Sequence, residues 1–212
     1  MEKSDETGTP AQATKTENTP KSAFVGPSGE RLNSKPERLT HLYGNRLVEK
    51  DNPVIALRGK LDTLCAMILE AQALGAQADN REFVSDLQEV LDFALSLLSA
   101  EYTRAPLGEF CLLGLTSDDL RKRSHQPEKY FGLRRLPMTH AMGALCLRLN
   151  LLRAAVRETE LAAVAVLRDS EDASKACHED IAKALNRLSS LFHILTFKYL
   201  PESFRQARQE TA

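Results

Sequence analysis

The feature that most constrains this chain is a series of long apolar stretches, lying between Pro53 and Pro201, whose bulky residues recur at intervals of three and four. That period belongs to the α-helix, which brings residues three and four apart onto one face. After Asp51-Asn52-Pro53, the series Val54, Leu57, Leu61, Leu64 and Ile68 predicts a first helix running to about Leu74. Asp51 or Asn52 supplies its cap, Pro53 its first turn and Gly75 its end. Asp79 or Asn80 caps a second helix with a face of Phe83, Val84, Leu87, Val90, Leu91, Ala94 and Leu98, ending before Pro106. The short link between the two predicts an antiparallel hairpin.

Thr116-Ser117-Asp118-Asp119 predicts the start of a short helix that stops near Ser124, because a hydroxyl followed by early acids suits the unpaired N–H groups and the positive dipole end. Gly132, Arg134-Arg135 and Pro137 place a loop over Phe131 to Thr139. From Ala141 to about Arg168 there is no Gly or Pro after Gly143, which predicts one long helix, and a last long helix covers about Ala173 to Tyr199. No stretch alternates with period two, so no strand is required. The expected fold is all-α: an up-and-down bundle of four long helices plus one short helix.

Residues 1–37 are rich in Thr, Lys, Glu, Pro, Ser and Gly, with Phe24-Val25 as their one bulky apolar pair. Such a segment buries too little surface to offset ordering entropy, so the expected organisation is a disordered tail over 1–37 and the bundle over 38–212. With 212 residues and 42% hydrophobic content, the chain suits one sizeable core. A net charge of −1 leaves no basic excess for a nucleic-acid partner, while a small anionic ligand stays open. Charges break every apolar stretch before the about 20 residues needed to span a membrane, and no signal-peptide core is present, so a soluble cytoplasmic protein is expected.

Cys65, Cys111, Cys146 and Cys177 lack any metal-ligand spacing and read as free thiols, Cys65 and Cys146 in the core. Cys177-His178 is the one candidate half-site for a metal, but neighbours on a helix point about 100° apart and no second pair is evident. No metal site is therefore expected among the protein's own residues.

Some polar residues exceed the needs of a plain bundle. Arg153, Arg157 and Glu160 share one helix face and interrupt a run of Leu, Ala and Val. Asn186-Arg187 is embedded between Leu185 and Leu188, and Asp62 follows Arg58-Gly59-Lys60 in an apolar-periodic segment. Taken singly, each suits an exposed ion pair. Brought together at one end of a bundle, they suit a phosphate pocket, since guanidinium forks grip phosphate oxygens bidentately.

The segment 47–53 with Gly59 and Leu61-Asp62-Thr63-Leu64, the helix Arg153-x-x-x-Arg157-x-x-Glu160, and Ala184-Leu185-Asn186-Arg187-Leu188-Ser189 resemble, in order, three motifs of the ATP:cobalamin adenosyltransferases. Leu39-Thr40-His41-Leu42, Gly114-Leu115-Thr116 and Ser124-His125-Gln126-Pro127-Glu128-Lys129-Tyr130 resemble the ethanolamine-utilisation branch of that family. The resemblance covers roughly residues 38–200.

The resemblance implies that cobalt(I) of cobalamin attacks the 5′ carbon of ATP and triphosphate leaves. The cofactor is the nucleophile, so the protein positions, excludes water and stabilises the leaving charge. It further implies that Lys50, Arg157, Glu160 and Asn186 bind ATP and its magnesium, and that Asp62 pairs with Arg153 near the reacting centre. Phe131, Leu133, Leu136 and Met138 are candidates for an apolar wall that displaces the lower axial ligand of cobalt, and His125 either contacts the corrin or holds its loop through a backbone hydrogen bond. The implied partners are ATP and cobalamin as substrates, a homo-oligomer (trimer or dimer), and ethanolamine ammonia-lyase or its reactivase, in the cytoplasm or a bacterial microcompartment.

Two departures stand out. The family's glycine-rich phosphate loop is missing ahead of Lys50, where the chain has Thr40-His41-Leu42-Tyr43-Gly44. The cysteine cluster that binds a metal in some ethanolamine-branch members is also absent, no cysteine preceding Cys65. Two other readings stay open: a non-catalytic bundle that binds nucleotide or corrinoid and delivers it to a lyase, and a structural bundle that associates through leucine-rich faces.

Overall fold

The computed structural model describes residues 24–136, 138–169 and 172–204. They fall into two compact units, one ending at Val48 and the other beginning at Glu49. In the first, β1 (Phe24–Val25) pairs antiparallel with β2 (Arg31–Leu32), and β3 (Leu39–His41) pairs with β4 (Leu47–Glu49). The turn between β1 and β2 closes through Gly26 N–H to the Glu30 carbonyl at 2.8 Å, with Gly29 at φ 82°. Phe24 meets the His41 ring edge-on at 5.5 Å. Residues 24–37 thus hold paired strands where composition predicts a tail, since backbone pairing needs few apolar side chains; residues 1–23 lie outside the described set.

The second unit is a helical bundle. Asn52 accepts from the Val54 amide at 2.9 Å and starts α1 (Pro53–Gln77), while Asn80 accepts from the Phe83 amide at 3.0 Å and starts α2 (Arg81–Thr103). α1 does not stop at Gly75. That glycine lies inside the last turn because a Cβ there would come within 2.5 Å of the Phe83 ring, so its role is close helix approach rather than termination. α2 ends at Arg104, left-handed at φ 59°, ahead of Pro106.

A short hairpin, β5 (Cys111–Leu112) with β6 (Leu115–Thr116), precedes α3 (Ser117–His125). Thr116 and Asp119 form a reciprocal capping box that satisfies two otherwise unpaired donors. α4 (Pro127–Phe131) reaches the first residue of the expected loop, and a 3-10 turn, His140–Met142, follows the loop where the long helix is expected to begin. Gly143, at φ 82°, then opens α5 (Ala144–Arg168), which is followed by α6 (Asp172–Lys198).

α1 packs on α2 and α5, α5 on α6, and α6 also on α2 and α3. Leu57, Leu61, Leu64 and Ile68 of α1, together with Phe83, Leu87, Val90 and Leu97 of α2, are fully buried. Each such side chain contributes roughly 1.5–3 kcal/mol relative to exposure. α6 is buried over most of its surface from Ile181 to Phe197, with Lys183 exposed and Asn186, Arg187, Ser190 and His193 half-buried, as suits a central helix. Short strand pairs are added to the all-helical expectation, and Leu112 and Leu115 of the β5–β6 hairpin join the core of the bundle.

Candidate functional site

The α5–α6 packing places Glu160 beside Asn186, whose side-chain amide donates to Glu160 Oε1 at 2.7 Å. Both are half-buried. Two turns back along α5, Arg153 is half-buried and donates Nε–H to Asn150 Oδ1 at 3.1 Å. Burial, and then the like charge of Arg157, pull the Arg153 guanidinium below its ordinary value. Arg157 itself is exposed on the same helix. Burial, and then Arg153, also lower the pKa of His193 on α6.

Arg153 lines a cavity of about 300 Å³ with Arg134, Arg135, Leu136, Met138, Asn150, His193 and Thr196. A second cavity, of about 570 Å³, is lined by His125, Gln126, Pro127, Glu128, Lys129 and again Arg134 and Arg135. The two arginines therefore belong to both. A third cavity, of about 330 Å³, is largely apolar, with Phe131, Leu113, Leu115, Leu191, Ile194 and Leu195 as walls and Arg123 and Lys198 as its cations.

The residues expected from sequence are thus partly gathered and partly dispersed. Glu160 and Asn186 meet, and Arg153 shares a cavity with Leu136. His125 lies in the neighbouring cavity, exposed, and among the described residues its ring makes no backbone hydrogen bond, so it does not hold its loop in that way. Phe131 stacks on Phe197, with centroids 4.9 Å apart and an 8° interplanar angle, on the side of the third cavity. The expected apolar wall is divided, since Leu133 and Leu136 pack on a small separate cluster of Met142, Cys146 and Leu200. Met138 is largely exposed.

Lys50 is exposed just ahead of α1. Asp62 is exposed on α1 and is not bonded to Arg153, which takes Asn150 instead; within one chain the expected Asp62–Arg153 pair does not form. Cys177 donates to the Ala100 carbonyl at 3.2 Å and His178 lies 4.0 Å from Glu101, so both face into the helix packing. Sequence reasoning passed over Arg134, Arg135 and His193. The adjacent arginines in a Gly- and Pro-bearing segment were the available signal, read there only as loop chemistry.

The family model described as cobalamin adenosyltransferase matches residues 32–199. The chain belongs to this family. It is 34% identical over 163 residues to the corrinoid adenosyltransferase EutT of Escherichia coli strain K12, and 33% identical over the same length to that of Salmonella typhimurium strain LT2. Each match covers 76% of this chain and 58% of the relative, so the chain spans little more than half the length of these curated relatives. No solved structure matches significantly.

Proposed function

We propose that the chain is an ATP:corrinoid adenosyltransferase that transfers the 5′-deoxyadenosyl group of ATP to cob(I)alamin, giving adenosylcobalamin and triphosphate. The observation that carries this reading is the Asn186–Glu160 hydrogen bond on the α5–α6 face that also bears Arg153 two turns away, in a chain of the cobalamin adenosyltransferase family. The cobalt electron pair forms the Co–C5′ bond while the C5′–O bond breaks and its electrons leave with triphosphate. Arg153 and Arg157 offer guanidinium donors to the growing negative charge, and Lys50 adds a further cation; no general base is needed.

Magnesium suits the residues present. It takes oxygen ligands and keeps several waters and phosphate oxygens, so one carboxylate suffices. Glu160, whose Oε1 is oriented by Asn186, would hold it with the ATP phosphates. The ion supplies charge neutralisation on the phosphates. Asn186 fixes the carboxylate rotamer, and Leu136 and Met138 limit water at the Arg153 cavity.

The same reading takes the working protein as a homo-oligomer. Leu147, Leu151, Ala154, Glu158 and Leu161 form an exposed stripe on α5, beside the exposed small residues Ala56, Gly59, Thr63 and Ala66 of α1. Asp62, exposed on α1 and unbonded to Arg153 within the chain, would then meet Arg153 of another copy and complete a site between chains. The product would serve ethanolamine ammonia-lyase, as the resemblance of residues 114–116 and 124–130 to the ethanolamine-utilisation branch implies.

The test mixes the protein, Mg-ATP and chemically reduced cobalamin without oxygen and follows light-sensitive adenosylcobalamin. Product no greater than in the protein-free control would refute the activity. Sedimentation of Leu151→Glu checks the assembly: a monomer is expected where the unsubstituted chain associates.

A further inference from the structure

We infer that the cavity bounded by His125, Lys129, Arg134 and Arg135 is a second anion site, built for a phosphate-bearing group and separate from the Asn186–Glu160 locus. Its volume, about 570 Å³, lies in the range of small-molecule sites. Glu128 is the one acid in its lining, against two arginines, a lysine and a histidine.

Elsewhere on the bundle, several cations end on acids. Lys60 reaches Glu158, Arg148 reaches Glu70, Lys183 reaches Glu109, and Lys198 reaches both Glu82 and Asp86. Among the described residues, Lys129, Arg134 and Arg135 make no such ion pair. Lys129 lies over the Tyr130 ring at 5.4 Å, and Arg123 covers the same ring at 5.5 Å, which keeps still more positive charge near this rim. Like charges crowded around one concavity repel one another unless an anion enters, and adjacent guanidinium forks suit phosphate oxygens above other anions. The segment that carries them, from α3 through α4 to Arg135, contributes little to the core, with Leu120 as the one buried side chain of α3 and none in α4. Its cations are therefore poorly accounted for as packing.

The source of the phosphate rests on the adenosyltransferase reading, which supplies two: the triphosphate leaving group, and the phosphodiester in the nucleotide tail of cobalamin. Equilibrium dialysis separates them without turnover. The probes are inorganic triphosphate, cob(II)alamin, and cob(II)inamide, which lacks the tail phosphate. They are measured against the unsubstituted chain, Lys129→Glu and Arg134→Ala/Arg135→Ala, with circular dichroism confirming that the exposed substitutions leave the helices intact.

Loss of charge-assisted hydrogen bonds predicts weakening by about tenfold or more in both variants. Weakening of triphosphate alone assigns the leaving group. Weakening of cob(II)alamin but not cob(II)inamide assigns the tail. Either supports the site. It is overturned if the unsubstituted chain binds no probe, or if both variants hold all three as tightly as it does. It is equally overturned if the double variant weakens binding while Lys129→Glu does not, because Lys129 lines this cavity alone and the anion would then belong with Arg153. A chain that binds but fails to adenosylate would refute the activity and leave this inference standing.

Discussion

Asn186 on α6 donates its amide to Glu160 Oε1 on α5 at 2.7 Å, joining the two helices through a polar contact beside an otherwise apolar seam. Asn186→Ala removes the donor, and the half-buried carboxylate loses its orientation. The expected cost in stability is about 1 kcal/mol, whereas adenosylation falls about tenfold or more through a raised KM for Mg-ATP. Steady-state kinetics at varied Mg-ATP checks this, and an unchanged KM sinks the role given to the pair.

Arg153 has a neutral partner, Asn150, rather than an acid. Its truncation breaks no ion pair within the chain. Arg153→Ala should shift the melting temperature by no more than about 3 °C, since the loss is about 1 kcal/mol or less, and should lower kcat by about 100-fold. A large melting shift with activity retained would make it a structural residue.

Glu101 is fully buried between α1 and α6, bonded to Arg58, with His178 at 4.0 Å. Glu101→Ala strands the Arg58 charge in the packing, and removing one partner of a buried pair costs about 3–5 kcal/mol. At this domain size the melting temperature should drop on the order of 10 °C, measured by calorimetry. A drop below about 2 °C would mean that Arg58 reaches water freely.

His178 is held below its ordinary value by burial, against the opposing pull of Glu101, and His193 is lowered by burial and by Arg153. Both are therefore neutral in the fold, while the unfolded chain takes up protons near pH 6.5. Their contribution is complete above that pH and is lost as pH falls through the lower folded values. The urea midpoint should decline between pH 7 and pH 5, and His178→Gln/His193→Gln should flatten the decline. The same slope in both proteins would assign it to other groups.

The two glycines of α1 should respond oppositely to Ala. At Gly59 a Cβ meets nothing within 4 Å, so Gly59→Ala should stabilise an isolated chain by up to about 1 kcal/mol. At Gly75 the same propensity gain is opposed by a 2.5 Å contact with Phe83, and overpacking costs about 1–3 kcal/mol. Urea unfolding of the two variants should show shifts of opposite sign.

The fold was legible where a signal is local and repeated. Asn52, Asn80 and Thr116 cap the helices they were expected to cap, and Leu57, Leu61, Leu64 and Ile68 are buried as their spacing requires. Gly75 misled because the reason for it lies on another helix, in the Phe83 ring. Leu97 is buried more deeply than Leu98, a difference of helix rotation that period alone does not resolve. The resemblance assigns Glu160 and Asn186 to one ligand, but their direct contact, where Phe131 points and where Asp62 fails to reach all depend on register between elements, which no single segment encodes. Arg134 and Arg135 read only as loop residues, because two adjacent charges in a loop have no periodicity to mark them as part of a cavity.

Those two arginines face two cavities at once. Whatever fills one cavity neutralises field that the other draws on, so the two occupants cannot bind independently. By thermodynamic linkage, the factor by which the first alters the affinity of the second equals the factor by which the second alters that of the first. Anions held in both cavities would compete through that dipeptide without touching, and release of one would tighten the hold on the other.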